Sequence, residues 1–308
     1  MDCGTGCVPP ANCYSRFEPK GRFVKKESSY LASVKPGEAI GLIAGNGELP
    51  VAFSMEAKRR GHPLYIVGVE GEAPKSLARW GTETKFLPVG RLGALLSFFK
   101  KHRVRWAAME GQVHLSHLFR IAFVPGQVDL KAISLLLRQR DRSGPAMMKA
   151  VAGELEKAGT RLLDCRTFLD GLVAEEGVLT RTRPKGEAAD TIPFGLEQAR
   201  RFAEWKVGQT LVVRRRAVVA VEAAEGTDET ILRGGRVGRP GTVVVKVAGP
   251  SHDWRFDVPT VGPATIRALV KAKAAGMVVE AGAAFILQRE KTLALADRHH
   301  LFLQAVKR

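Results

Sequence analysis

The sequence lacks any long apolar run. None of its 308 residues belongs to a stretch of the roughly 18 consecutive apolar residues that a membrane-spanning helix needs. Residues 1–11 have neither the charged start nor the apolar centre of a secretory signal peptide. We therefore expect a cytoplasmic protein without a membrane span.

Acidic residues are scarce relative to basic ones. The chain has 48 Lys and Arg against 31 Asp and Glu, which gives a net charge of +17. Such a charge suggests polyanionic partners, but no zinc-finger, RNP or helix-turn-helix signature accompanies it, so we expect no nucleic acid. Anionic lipid headgroups or a nucleotide diphosphate suit the same charge, and a general solubility effect explains it equally well.

Cysteine and histidine are also few, and neither forms a clear metal motif. The four cysteines are Cys3, Cys7, Cys13 and Cys165. The first three match no common zinc spacing, so we expect reduced thiols. His114 and His117 have the spacing of one helix face, but no third ligand is evident, which favours packing or surface roles.

Short apolar runs that alternate with helical patterns predict an α/β protein. They predict strands at residues 39–44, 64–69 and 85–89 and helices at residues 50–60, 92–102 and 192–205. Residues 1–38 are expected to form a poorly ordered extension. Residues 39–165 predict a Rossmann-like domain with a parallel sheet, and residues 166–308 predict a catalytic α/β domain with a mixed sheet. A helix over residues 129–140 is expected to bury an apolar face. The predicted inner residues are Leu130, Ile133, Leu136 and Leu137.

Gly45, Asn46 and Gly47 turn the chain between the first predicted strand and its helix. A dinucleotide-binding fingerprint requires glycine where the sequence has Pro50, so the NAD signature is missing. The turn suits either close approach of a nucleotide or sugar or a tight connection alone. Gln112 follows the fourth predicted strand and is a further candidate substrate contact.

Charged side chains follow two apolar runs that are expected to be buried strands. Residues 222–228 follow one run and lead into a helix expected near Glu229, capped by Thr227 or Asp228. The helix amides there suit an anion. Because both segments leave strand ends, they are where α/β proteins usually build their sites.

The second segment, residues 246–265, brings two carboxylates and a guanidinium within a few positions, between prolines that keep it non-helical. Carboxylate oxygens suit a hard cation, whereas Arg255 and Lys246 suit phosphate. Taken singly, each carboxylate is as well explained as a turn former or helix cap. Taken together, they favour a metal-assisted phosphate site.

Several separated motifs resemble the LpxI family. They are GLIAGNGELP at 41–50, PFGLEQAR at 193–200, VGQTLVV at 207–213, EGTD at 225–228, HDWRFDVPTVG at 252–262 and EAGAAFIL at 280–287. The resemblance implies hydrolysis of UDP-2,3-diacylglucosamine in lipid A biosynthesis. Water would attack the α-phosphorus, giving UMP and 2,3-diacylglucosamine 1-phosphate (lipid X). It also implies a divalent metal, Mg²⁺ or Mn²⁺, and a homodimer that is peripheral at the inner membrane.

The sequence departs from the family pattern at several positions. His252 replaces the usual Gln, Gly249 replaces a Lys, and Lys206 replaces an Asp. A Gly-Asp-Asp segment expected near position 141 reads Arg-Asp-Arg. The carboxylates of the EGTD and RFD motifs remain, so the resemblance still implies the activity.

The motifs and the chemistry together assign the candidate site residues. The predicted catalytic residues are Asp228, Asp253, Asp257 and Arg255. The predicted metal ligands are Asp228, Asp253, Asp257 and Glu225. The predicted substrate contacts are Gly45, Asn46, Gly47, Gln112, Gln209, Lys246, His252 and Thr265. Which aspartate is the base and which a ligand stays open, as do two rival functions, a phosphohydrolase of soluble nucleotide sugars and a nucleotide- or nucleic-acid-binding module.

Overall fold

The computed structural model describes residues 34–113, 127–141, 144–223, 225–249 and 252–308. Most of the expected N-terminal extension, its three cysteines and the His114/His117 pair lie outside the described residues. Cys165 is a buried free thiol. Among the described helices, none has both the length and the apolar character that crossing a bilayer requires.

The first domain is built on a five-stranded parallel sheet. Its strands are β1 (Ile40–Ala44), β2 (Leu64–Val69), β3 (Glu83–Leu87), β4 (Trp106–Glu110) and β5 (Arg161–Leu162). Their order in the sheet is β3-β2-β1-β4-β5. Successive strands are therefore added on one side of β1 up to β3 and on its other side from β4 onwards. This arrangement confirms the predicted Rossmann-like sheet, and it brings the exits of β1 and β4 to one edge, where α/β proteins bind ligands.

Helices cover both faces of this sheet. They are α1 (Leu49–Arg59), α2 (Leu92–Lys101), α3 (Leu130–Arg138) and α4 (Gly144–Lys157). Pro50 lies in the first turn of α1, where a missing N–H costs nothing. One apolar cluster surrounds Leu42 and Phe53, and a second surrounds Phe99 and Leu155, so β1 is buried from both sides.

The second domain has a six-stranded mixed sheet, as predicted. Its strands are β6 (Gly177–Val178), β7 (Thr210–Arg214), β8 (Ala217–Val221), β9 (Val243–Lys246), β11 (Gly276–Glu280) and β13 (Phe302–Val306). The order is β6-β13-β11-β9-β7-β8, with parallel pairing at its centre and antiparallel pairing at its edges. A separate parallel pair joins β10 (Thr260–Val261) and β12 (Phe285–Ile286).

The position of β9 inside the sheet explains why its sequence is continuously apolar. Val243 and Val245 pack into one apolar cluster, and Val244 packs into the cluster on the opposite face. A strand buried on both faces has no polar side to alternate with. The helices that cover these faces are α5 (Glu187–Glu204), α6 (Thr227–Gly238), α7 (Pro263–Lys271) and α8 (Arg289–Arg298).

The two halves of the chain share an apolar contact. Val258 and Phe285 pack in the cluster that contains Phe53 of the first domain. Phe168 lies in the same cluster, so residues beyond the predicted boundary at 165/166 still contact the first sheet. This contact joins the segment before β10 and strand β12 to the core of the first domain.

Some predicted bounds were wrong. Helix α5 begins at Glu187, five residues before its expected start, and β3 lies at Glu83–Leu87 rather than at 85–89. The early turn of α5 is polar and therefore shows no apolar periodicity. Tertiary contacts stabilise it, since the Glu187 carboxylate accepts hydrogen bonds from Arg214 and Arg215.

The predicted inner face of α3 was wrong as well. Leu130, Ile133 and Leu137 are exposed, whereas Ala132 and Leu135 are buried. The cause is the orientation of the helix start. The Asp129 carboxylate accepts from the amide of Ala132 and from the amide of Gly93 in α2, at 3.0 and 2.6 Å. This double contact turns Ala132 and Leu135 inward.

Glu154 on α4 should make the stability of this domain depend on acid pH. Its buried carboxylate accepts from Lys157 at 2.8 Å and from Lys131 of α3 at 3.0 Å. These hydrogen bonds lower its pKa from 4.5 to about 2. A lowered carboxyl pKa contributes stability above the unfolded-state value, and this contribution is lost as the pH falls towards 2. We expect Glu154→Gln to lower the free energy of unfolding by about 1 kcal/mol at neutral pH.

Urea titrations at neutral pH and near pH 2 test this expectation. The difference between wild type and Glu154→Gln should shrink at the lower pH. Glu290→Gln is the matched control, because Glu290 is exposed and forms no hydrogen bond or ion pair with the described residues. An equal cost of Glu154→Gln at both pH values would contradict the assignment.

Candidate active site

A cleft of about 610 Å³ lies where the two domains meet. Gln112 reaches it from the first domain. The ends of β7, β8 and β9, the first turn of α6, the segment that leads into β10 and the start of α7 form the rest. The lining residues are Gln112, Gly208, Gln209, Glu222, Ala223, Glu225, Gly226, Thr227, Asp228, Glu229, Lys246, Asp257, Val258, Pro259, Thr260 and Thr265. Seven of the predicted site residues therefore share one cleft.

Lys246 is the buried cation of this cleft. It ends β9 directly opposite Thr210 on β7, and its residue is only 8% exposed. The ammonium donates to the hydroxyl of Thr227 at 2.6 Å and contacts that of Thr210 at 3.5 Å. Within the described part of the chain, no carboxylate forms an ion pair with it. A buried ammonium that has no direct ion pair can bind an anionic ligand.

The N-terminus of α6 faces the same cleft. The expected cap was wrong, because Gly226 precedes the helix and neither Thr227 nor Asp228 caps it with a side chain. The Thr227 hydroxyl is engaged elsewhere: it donates to the carboxylate of Glu222 at 2.8 Å and accepts from Lys246. Within the described ranges no side chain caps this helix, so its first amides can donate to an anion.

Asp228 and Asp257 present carboxylates to the cleft. Among the residues that the structure describes, neither side chain has a hydrogen-bond or ion-pair partner. Desolvation by the cleft walls raises the pKa of Asp228 above 3.8, and the charge of Lys246 opposes that rise. Carboxylate oxygens without partners are the kind of ligand that a magnesium ion uses together with the phosphates of a substrate.

Glu225 and Asp253, the other predicted metal ligands, are held by arginines. Glu225 accepts from Arg233 at 2.6 Å, which lowers its pKa from 4.5 to about 2. Asp253 accepts two hydrogen bonds from Arg255, both at 2.9 Å, and its pKa is lowered in consequence. Over the described ranges, no three His, Cys, Asp or Glu side chains are grouped so that they could hold a metal ion alone.

Arg255 and His252 do not line the cleft. Arg255 is divided between Asp253 and Glu156 of α4, the latter at 3.3 Å. The His252 ring contacts the backbone oxygen of Asp257 at 2.9 Å. These contacts order the loop that carries Asp257. The predicted phosphate and catalytic roles of the two residues stay predictions.

The Gly45-Asn46-Gly47 turn lies next to Gln112. The amide of Gly45 donates to the backbone oxygen of Glu110 at 2.8 Å, and Asn46 and Gln112 exchange two backbone hydrogen bonds. The amide of Gly47 donates to the Asn46 side chain at 2.7 Å. The turn's three amides are therefore used within the protein, and its role towards substrate stays a prediction. Its contacts fix the position of Gln112.

The residues that position the Lys246 ammonium were not predicted from the sequence. Thr210 and Thr227 lie 36 and 19 positions before it. Glu222 joins them through the Thr227 hydroxyl. The motifs VGQTLVV and EGTD contain the two threonines. Only the register of β7 against β9 brings Thr210 to the lysine, and the position of the first turn of α6 brings Thr227 to it. A polar residue at the first position of a buried strand was the one signal available.

The fold and the cleft define a class: a two-domain α/β protein whose polar cleft between the domains is suited to an anionic ligand and a hard cation. Two family models match the chain, the LpxI N-terminal domain at residues 39–172 and the LpxI C-terminal domain at residues 175–304. The chain therefore belongs to the LpxI family.

A curated relative is the UDP-2,3-diacylglucosamine pyrophosphatase LpxI of Caulobacter vibrioides. It is 29% identical over 276 residues, which cover 87% of this chain and 97% of that protein. The similarity thus extends through both domains. The N-terminal segment of this chain, before residue 39, lies outside both family models.

Solved structures resemble the chain only weakly. A UDP-glucose-4-epimerase from Stenotrophomonas maltophila is 15% identical, with a TM-score of 0.28 over 41% of this chain and 35% of its own. An N5-carboxyaminoimidazole ribonucleotide synthetase in complex with ADP is 12% identical, with a TM-score of 0.27 over 63% of this chain and 40% of its own. These scores are too low to establish a common fold.

Proposed function

We propose that this protein hydrolyses the pyrophosphate of UDP-2,3-diacylglucosamine, giving UMP and 2,3-diacylglucosamine 1-phosphate. Family membership and the named relative support this substrate. The observation that carries the chemistry is the buried Lys246 ammonium, which contacts hydroxyl groups at the bottom of the cleft. A pyrophosphate would give this ammonium a direct ionic partner.

In this proposal, Lys246 and the first amides of α6 bind the phosphate oxygens. The Thr227 and Thr210 hydroxyls hold the ammonium in place, so that its charge faces the cleft without reorganisation during the reaction. Gln112, Gln209 and Thr265 supply polar groups along the walls that suit the uridine and the sugar.

The reaction needs an activated water. The water oxygen bonds to the α-phosphorus, the bond from that phosphorus to the bridging oxygen breaks, and the bridging oxygen leaves with the sugar phosphate. A cleft carboxylate, Asp228 or Asp257, accepts the proton of the water. The same pair would hold Mg²⁺ or Mn²⁺, which when bound neutralises charge on the phosphoryl oxygens. Glu225 and Asp253, each paired with an arginine, order the two loops.

One observation favours a second candidate, a phosphohydrolase of soluble nucleotide sugars. Of the described residues that line the cleft, only Ala223, Val258 and Pro259 are apolar. Two acyl chains need more apolar surface than this. The remaining expectations, a homodimer that is peripheral at the cytoplasmic face of the inner membrane, stay predictions.

Release of UMP from UDP-2,3-diacylglucosamine tests the proposal. We expect turnover with Mg²⁺ or Mn²⁺ and its loss on addition of EDTA, with recovery when metal is restored. Undiminished turnover in EDTA would remove the metal from the proposal. The same assay on UDP-N-acetylglucosamine separates the two candidates: faster cleavage of the soluble sugar nucleotide would favour the second, and strict dependence on the acyl chains would favour the first.

A further inference from the structure

Helix α3 exposes an apolar stripe on the surface of the first domain. Leu130, Ile133 and Leu137 are 84%, 42% and 79% exposed. Their spacing places them on one helix face. Large apolar side chains exposed singly are common, whereas three in a row on a helix indicate an interaction surface.

Positive charge surrounds this stripe. Residues 130–140 contain Lys131, Arg138 and Arg140 and no Asp or Glu; Lys131 is paired with Glu154 of α4, whereas the two arginines follow the stripe. Helix α2, which packs against α3, ends in Lys100 and Lys101. An apolar helix face with basic neighbours is the pattern of helices that lie in the interface of an anionic bilayer.

A second copy of the chain fits this surface less well. A two-fold dimer interface is formed by the same patch of both copies, so the arginines of both copies would be brought into one interface. The stripe segment offers no carboxylate to neutralise them. A bilayer that contains anionic phospholipid offers both an apolar layer for the leucines and negative headgroups for the cations.

We propose that the α3 stripe, formed by Leu130, Ile133 and Leu137, docks the protein on an anionic phospholipid bilayer. The helix lies along the surface, with its leucines among the acyl chains and its cations at the headgroups. The stripe is separate from the cleft, so docking does not depend on the proposed activity. It does bring the enzyme to the phase in which a diacylated substrate would reside.

Sedimentation with vesicles tests this docking. The full chain should bind vesicles of phosphatidylglycerol and phosphatidylethanolamine, and bind phosphatidylcholine vesicles weakly. The double variant Leu130→Ser/Leu137→Ser should lower the partition coefficient between vesicles and water about tenfold or more, because two leucines that would be buried in the bilayer are lost. Val237→Ser is the matched control, since Val237 is 63% exposed on α6 of the other domain.

Three results would overturn the proposal. One is equal vesicle binding by wild type and the double variant, and another is no vesicle binding by wild type. The third is conversion of a wild-type dimer into a monomer by the double variant in sedimentation velocity, which would make the stripe a subunit interface. Turnover of substrate in detergent micelles should be unchanged in the double variant. Absent turnover in wild type under those conditions would refute the proposed function and leave the docking result intact.

Discussion

Lys246→Met lowers kcat/KM for UMP release by about two to three orders of magnitude, if the ammonium binds the pyrophosphate as proposed. The substitution keeps the length and apolar stem of the side chain and removes its charge. Because the ammonium is buried beside hydroxyl groups without a carboxylate partner, its removal should leave the free energy of unfolding unchanged or higher. Initial-rate kinetics and thermal unfolding measure the two quantities.

Lys271→Met is the matched control, because Lys271 is exposed in the last turn of α7. It should retain wild-type kinetics. A folded Lys246→Met protein with kcat/KM within a few-fold of wild type would contradict the phosphate-binding role. A large loss of stability would instead mean that the lysine serves the fold, through its hydrogen bond to Thr227.

Asp228→Asn and Asp257→Asn should each lower kcat by about two orders of magnitude or more. Both carboxylates face the cleft without a partner in the described chain. Each substitution preserves the shape of the side chain and removes its charge. If these aspartates hold the metal, the variants should also need a higher Mg²⁺ concentration for half-maximal activity. Metal titrations of turnover measure this effect separately from substrate binding.

Asp253→Asn provides the informative comparison. Its carboxylate is bound to Arg255, so the sequence-based expectation of a catalytic role and the geometry lead to different results. The geometry predicts a smaller loss of kcat than at Asp257, together with a looser loop. Asp190 is an exposed aspartate of α5, and Asp190→Asn should leave kcat unchanged. A loss at Asp253 as severe as at Asp257, in a protein that stays folded, would show that the ion-paired aspartate carries the chemistry.

Much of the architecture could be predicted from local pattern. Strands β1 and β2 and helices α1 and α2 were expected within one residue of their bounds, because apolar periodicity, Pro50 and Gly61 mark them. The polar first turn of α5 has no such signal. Likewise, the rotation of α3 depends on Asp129 contacting α2, which no residue within the helix indicates.

The candidate site divides along the same line. Local composition located the acidic segments at strand ends, and the motifs in them led to the family. Which carboxylates remain unpaired was beyond such reasoning. Glu225 and Asp253 form ion pairs with arginines, whereas Asp228 and Asp257 form none with the residues that the structure describes.

Residue types and their periodicity thus specify strands, helices and the chemistry that a segment can offer, since these depend on a few neighbours in the chain. The cleft depends on the packing of β7 against β9, which sets Thr210 opposite Lys246. It also depends on Val258 and Phe285, which anchor the second domain on the first. Burial and charge pairing depend on contacts between residues that are far apart in the sequence. Only the folded structure therefore decides whether a charged side chain faces a ligand, forms an ion pair or stays unpaired.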